Sequence, residues 1–167
     1  MDRIRRTFLT LLVAVACASM SVACRRTSGG DTHAAREPYV PELGELMAMQ
    51  QMRYTKLWLA GHAGNWALAA YEVDELGEGF DAVIAFHPTH QDSPVAPKDA
   101  IPRMVTQPLA DLKAAVTRKD RAAFEQTYDE LTSACNRCHQ ATNYGFNRVQ
   151  RPAFNPYPSQ VFSPPED

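Results

Sequence analysis

The chain has 167 residues, with 17 Lys and Arg against 19 Asp and Glu, so its formal net charge is −2 at pH 7. Hydrophobic residues make up 45% and charged residues 22%, an ordinary composition for a globular protein that can bury a single core. This charge balance argues against the basic patch that nucleic-acid binding requires, and we expect no nucleic-acid partner.

The chain starts with MDRIRR, followed by an apolar run at residues 8–23 that ends in small residues. A basic start, a short apolar run and a small-residue exit are typical of an export signal, so residues 1–23 are predicted to be a signal peptide. The run is short for a permanent membrane span. The SVAC stretch resembles a bacterial lipoprotein processing site, at which Cys24 would become a lipidated first residue; ordinary cleavage near residues 23–30 is the alternative. Either kind of cleavage predicts a periplasmic protein, and lipoprotein processing at Cys24 would also anchor it to a membrane.

The remainder of the chain divides into three parts by composition. Without residues 1–23 the formal charge becomes −4. Residues 24–38 are polar, contain Gly-Gly and lack periodicity, which predicts a flexible tether. Residues 39–146 are predicted to form a single domain. Residues 147–167 form a Pro-rich extension, which we expect to be an ordered coil lying on the domain.

Apolar residues spaced by three and four predict a first helix from Pro41 to about Gly61. The members of this stripe are Leu43, Leu46, Met47, Tyr54, Leu57 and Trp58. A second helix is predicted to begin after Asn65, a good N-cap, and to stop before His87-Pro88, because a residue preceding proline avoids helical geometry.

The third helical region is predicted to be broken, with a short piece at residues 99–106 and a cleaner helix from Pro108 to about Lys119. Asp120 is predicted to cap the last helix, and Gly145 to end it. The inward stripe of this helix is Phe124, Tyr128, Leu131, Cys135, Cys138 and Thr142. No segment alternates like a strand, so the predicted fold is all-α: an antiparallel four-helix bundle with a Pro-rich C-terminal tail.

The stretch CNRCH, from Cys135 to His139, carries the chemistry. A redox dithiol requires its first cysteine at a helix N-terminus, where the dipole lowers the thiol pKa, but Cys135 falls in the last turns. A zinc site needs four ligands, of which the motif has at most three, leaving His87 or His90 to supply another. A disulfide between helix positions i and i+3 has poor geometry.

Covalent haem attachment accounts for every residue of the motif. Cys-x-x-Cys-His is the c-type haem signature. Helix positions i, i+3 and i+4 share a face, so both sulfurs can bond the haem vinyl groups while the histidine reaches the iron. The sequence therefore predicts one covalently bound haem c per chain, held by Cys135, Cys138 and His139.

The motif position, the helix count and the export signal together resemble the cytochrome c-prime family over about residues 41–146. That family is a four-helix bundle with Cys-x-x-Cys-His on its last helix, and the Pro-rich tail of this chain departs from its pattern. The resemblance implies that His139 is the proximal iron ligand and that the first helix covers the opposite haem face. It also implies a possible homodimer through the first two helices.

The residue on the opposite haem face would decide the function. A methionine there would raise the reduction potential and suit electron transfer, and Met47 on the inward stripe is the candidate sixth ligand, with core packing as the alternative. Tyr54 would sit over the haem as packing or as a hydrogen-bond donor. Arg148, together with Arg137 and Arg151, is a candidate partner of the haem propionates.

The sequence thus predicts an exported monohaem c-type cytochrome that transfers single electrons with periplasmic or membrane redox proteins. A five-coordinate haem protein that binds nitric oxide or carbon monoxide is the alternative. A haem enzyme such as a peroxidase is not expected, because the first helix has no His, Asp or inward Glu near Met47 to act as a distal acid–base group.

Overall fold

The computed structural model describes residues 38–91 and 93–166, and the predicted signal peptide, Cys24 and nearly all of the tether lie outside them. The described residues form five helices and no strand, which confirms the all-α prediction. The helices are α1 (Leu43–His62), α2 (Trp66–Phe86), α3 (Pro97–Met104), α4 (Thr106–Arg118) and α5 (Arg121–Ala141). In the part of the chain that the structure describes, no helix is long and apolar enough to span a membrane.

Side-chain caps set the starts of three helices. Asn65 accepts a hydrogen bond from the Leu68 N–H at 3.1 Å, and Asp120 accepts one from the Ala123 N–H at 3.1 Å, as predicted for α2 and α5. Helix α1 starts at Leu43 rather than at Pro41, because Glu42 is its N-cap and forms a capping box with Glu45. In that box, the Glu42 N–H donates to the Glu45 carboxylate at 2.9 Å.

The predicted break in the third region is real, but its bounds differ. The two pieces begin at Pro97 and Thr106, with Val105 between them. Pro108 lies in the first turn of α4 rather than at its first residue. An N–H in the first turn has no partner within the helix, so the missing N–H of Pro108 costs no hydrogen bond. The described residues therefore form five helices, whereas four helices of roughly 20 residues were expected. The difference arises because the third region forms two pieces of 8 and 13 residues.

The end of α5 was predicted four residues too late. The helix ends at Ala141 rather than at Gly145. Asn143 takes a left-handed backbone conformation with φ 67°, which asparagine tolerates and which stops the helix before the glycine is reached. The Thr142 hydroxyl donates back to the Cys138 carbonyl at 2.8 Å in this last turn.

Four helices enclose the main core, in which α1 packs on α2 and α5, and α4 packs on α2 and α5. Aromatic rings fill its centre: Tyr54 stacks on Tyr128 with ring centroids 4.6 Å apart, and Trp58 lies 4.9 Å from the same ring. Phe124 is fully buried beside them. Gly61 of α1 faces the Phe124 ring so closely that there is no room for a Cβ.

The C-terminal tail lies against the helices as an ordered coil. Phe162 is buried, and the Asn65 amide donates to the Ser163 carbonyl at 3.1 Å. The Arg151 guanidinium lies over the Trp58 ring, 4.4 Å from its centroid, and binds both carboxylate oxygens of Asp129 at 2.6 and 2.8 Å. These contacts hold the tail against α1 and α5.

Candidate functional site

The CNRCH motif lies on the last two turns of α5, where Cys135, Cys138 and His139 line one cleft between α1, α2, α3 and α5. We call it the CNRCH cleft. Both cysteines are free thiols and partly buried. Their spacing on the helix puts the two sulfurs and the imidazole on one face, as the sequence predicted.

The walls of the CNRCH cleft are largely apolar. The cavity inside it has a volume of about 70 Å³, which is below the range of roughly 300–1,000 Å³ found for sites of small molecules and cofactors. A second cavity of about 400 Å³, which is within that range, adjoins it and shares Met47, Ile101 and His139. The principal apolar wall residues, from α1, α2 and the α3–α4 region, are Met47, Tyr54, Leu76, Phe80, Ile101 and Val105.

His139 is oriented by the chain that follows α5. Its Nδ1 atom lies 2.5 Å from the Asn147 carbonyl oxygen. Because a carbonyl only accepts, Nδ1 is the donor, and in the neutral imidazole Nε2 then carries the lone pair. This is the arrangement of metal-binding histidines, in which the non-ligating nitrogen donates to a carboxylate or a backbone carbonyl.

The two thiols are not set up as a redox pair. Burial, and secondarily the Cys138 charge, raises the pKa of Cys135 to about 12, and burial also raises the pKa of Cys138. A nucleophilic cysteine requires a lowered pKa. A structural zinc site requires four ligands. In the described residues, no group of even three His, Cys, Asp or Glu side chains is placed to hold a metal ion.

Met47 and Tyr54 reach the cleft from α1, on the side opposite α5. Met47 is partly buried and lines both cavities. The Tyr54 ring lines the cleft, while its hydroxyl is hydrogen-bonded to the Thr132 hydroxyl at 2.6 Å. Burial raises the pKa of Tyr54. The structure thus gathers five of the six predicted site residues around one cavity, with the Tyr54 hydroxyl directed to Thr132.

The sixth predicted residue, Arg148, is exposed and lies on the tail between Asn147 and Val149, which line the cleft. Its role toward haem propionates stays a prediction. Arg151, a further candidate for that role, is engaged elsewhere, since its guanidinium binds Asp129 and covers Trp58.

Sequence reasoning missed the tail as a wall of the cleft and the buried glutamine beside it. Gln50, a polar residue on the α1 stripe, is buried and donates to the Leu76 carbonyl at 2.7 Å. Asn147 and Val149 were assigned to the extension beyond the domain, and no periodic signal marks a coil that folds back. The Asn136 amide inside CNRCH is the only hint, because an asparagine can pair with a passing backbone.

The other three histidines among the described residues each have their own partner. The His87 ring bonds the Pro41 carbonyl at 2.8 Å, and His62 lies 3.3 Å from the Glu125 carboxylate. His90 lines the second cavity and is hydrogen-bonded to the Tyr144 hydroxyl at 2.7 Å.

Comparisons with protein-family models, with curated proteins and with solved structures found no match to this chain. The function of the site is therefore inferred from the chain's own residues and their geometry.

Proposed function

We propose that this protein is an exported monohaem c-type cytochrome that transfers single electrons. One observation carries the proposal: two free thiols and one imidazole share an apolar cleft, and the imidazole is tied through Nδ1 to a backbone carbonyl. This donor set fits a c-type haem, which needs two thioether links and an axial nitrogen. Cys135 and Cys138 would form the links, and His139 would ligate through Nε2.

Each cleft residue has a distinct task in this proposal. The Asn147 carbonyl keeps the His139 ring in one orientation, and the apolar walls would pack against the haem. Met47 would be the second iron ligand, because it lines the same cavity from a different helix. Tyr54 supplies packing rather than a donor, since its hydroxyl bonds Thr132. The bound haem supplies the one-electron chemistry, and axial ligands and burial set its potential.

For the fold, we propose a cytochrome c-prime-like four-helix bundle in which α3 and α4 together take the place of one helix. The packing order supports this, since α1 contacts α2, α2 contacts α4, α4 contacts α5, and α5 returns to α1. Short α3 contacts α2, α4 and α5 and contributes Ile101 to the cleft.

The location and partners are proposed from the sequence. Residues 1–23 would direct export to the periplasm, and Cys24 would carry a lipid anchor if the lipoprotein site is used. Redox partners would dock transiently at the cleft mouth, because such encounters bury little area. The resemblance to the cytochrome c-prime family also implies a homodimer that forms through the first two helices.

Mass spectrometry of the exported protein, produced with a haem-maturation system, tests the proposal. We expect the wild-type chain to gain the mass of one haem, and the double variant Cys135→Ser/Cys138→Ser to gain none. Cys24 is left intact in both, so any lipid mass is common to the pair. A wild-type chain without added haem mass refutes the proposal.

The absorption spectrum of the ferrous protein then separates two functions. A low-spin, six-coordinate spectrum supports electron transfer with Met47 as a ligand. A high-spin, five-coordinate spectrum that changes on adding carbon monoxide supports the gas-binding alternative.

A further inference from the structure

The chain after α5 folds back and is clamped onto the CNRCH motif itself. The Asn136 side chain, between the two cysteines, forms two hydrogen bonds with the backbone of Val149. Its Nδ2 donates to the Val149 carbonyl at 2.9 Å, and its Oδ1 accepts from the Val149 N–H at 2.9 Å. One asparagine thereby satisfies both backbone groups of a residue that lines the cleft.

The clamp lies two residues from the carbonyl that binds His139. Asn147 is also fixed from its other side, because its N–H donates to the Tyr144 carbonyl at 2.8 Å. Tyr144 in turn donates its N–H to the carbonyl of His139 at 2.7 Å. Residues 144–149 therefore form a closed loop that starts at His139 and returns to its imidazole.

We propose that Asn136 is a positioning residue for His139, acting through the 147–149 segment. It holds that segment in place, so that the Asn147 carbonyl keeps its hydrogen bond to Nδ1 of the axial histidine. This inference rests on the proposed haem-binding function, and it assigns a task to the first variable position of the Cys-x-x-Cys-His motif and to the tail that departs from the c-prime pattern.

A hydrogen bond from Nδ1–H to a carbonyl makes the imidazole a more basic ligand. A more basic ligand stabilises ferric relative to ferrous iron, so the intact clamp lowers the reduction potential. Residues 147 and 148 are exposed, so the segment needs the clamp to stay in register, and without it water competes for Nδ1–H. Loss of the clamp should therefore raise the potential and expose the Nδ1 proton.

Asn136→Ala removes both hydrogen bonds, and Asn155→Ala is the matched control. Asn155 belongs to the same tail and accepts a hydrogen bond from the Tyr157 N–H at 2.7 Å, away from the CNRCH cleft. Two quantities are measured on the haem-loaded protein: the reduction potential, and the solvent-exchange rate of the His139 Nδ1 proton by NMR of the ferrous protein, which is diamagnetic when the iron is low-spin.

In Asn136→Ala we expect the ferric–ferrous equilibrium to shift toward ferrous iron by up to about ten-fold, which is the lower end of the loss in metal affinity or activity when such a supporting partner is removed. For one electron, this corresponds to a rise of about 59 mV. The Nδ1 proton should exchange faster. Asn155→Ala should match wild type in both measurements.

Val149→Pro tests the same clamp from the other side, since it removes the N–H that Asn136 accepts. It should shift both quantities in the same direction, and the double variant should shift them no further than the larger single effect. An unchanged potential in haem-loaded Asn136→Ala, or an equal shift in Asn155→Ala, overturns the inference. Loss of haem from both clamp variants also overturns it, because positioning leaves attachment intact. A wild-type chain without haem instead refutes the proposed function.

Discussion

The close contact between Gly61 and Phe124 gives the sharpest test of the packing. A Cβ at Gly61 would overlap the Phe124 ring. The ring has no free direction in which to move, because its centroid lies 6.0 Å from Trp58, 6.0 Å from Trp66 and 5.9 Å from Tyr128. Inserting a methyl group into such a core costs about 1–3 kcal/mol. Alanine regains at most about 1 kcal/mol of helix propensity over glycine.

Gly61→Ala should therefore lower the free energy of unfolding by up to about 2 kcal/mol. Gly44→Ala is the matched control on the same helix, since nothing lies within 4 Å of a Cβ built there. It should raise stability by about 0.5–1 kcal/mol. Urea denaturation of the haem-loaded proteins, followed by helical circular dichroism, measures both values.

The two substitutions must change stability in opposite directions. If Gly61→Ala is as stable as wild type, Phe124 has room to move and the account of the aromatic core is wrong. A destabilised Gly44→Ala would contradict the exposure of the start of α1.

Three further predictions concern the ligand, the buried tyrosines and the tail. Met47→Ala should convert a low-spin ferrous spectrum to a high-spin, carbon-monoxide-binding one. Burial raises the pKa of Tyr128 well above its usual value and also raises the pKa of Tyr54. The contribution of these pKa shifts to stability is therefore complete below about pH 10 and is lost as the pH rises further. Tyr128→Phe should weaken this loss of stability at alkaline pH, as measured by urea titration. Arg151→Ala should speed amide hydrogen exchange in the tail and cost about 1 kcal/mol, because it removes a partly exposed ion pair and a cation–π contact.

Each of these three predictions has a control variant at an exposed residue of the same type. Met49→Ala changes an exposed methionine of α1, and an equal spectral change there would contradict the Met47 ligand. Tyr71→Phe changes an exposed tyrosine and should leave the alkaline loss unchanged. Arg148→Ala should leave tail exchange unchanged, and equal exchange in the two arginine variants would show that Arg151 does not anchor the tail.

Local signals made most of the helices predictable. The Asn65 and Asp120 caps and the His87-Pro88 stop depend only on neighbouring residues, and all three are where the sequence placed them. The end of α5 was misplaced because the left-handed residue that ends a helix is usually glycine, whereas here Asn143 takes that conformation two residues before Gly145.

The grouping of the site was also within reach of the sequence. Helical spacing puts Cys135, Cys138 and His139 on one face of any helix. The inward stripe of α1 carries Met47 and Tyr54 toward whichever helix packs on it. Both arguments use only the helical repeat and do not depend on the path of the loops between helices. The five residues do line one cleft.

By itself, then, the sequence determined that the described residues form helices and no strand, where α2 begins and ends, where α5 begins, and which residues share one face of α5, because these follow from short-range geometry. Only the tertiary structure decided that the tail returns to the motif, that Asn136 clamps Val149, and that the Asn147 carbonyl meets His139. A coil has no repeating pattern from which its path can be read. Where it lies depends on hydrogen bonds between residues 8 to 98 positions apart, which exist only once the helices are packed.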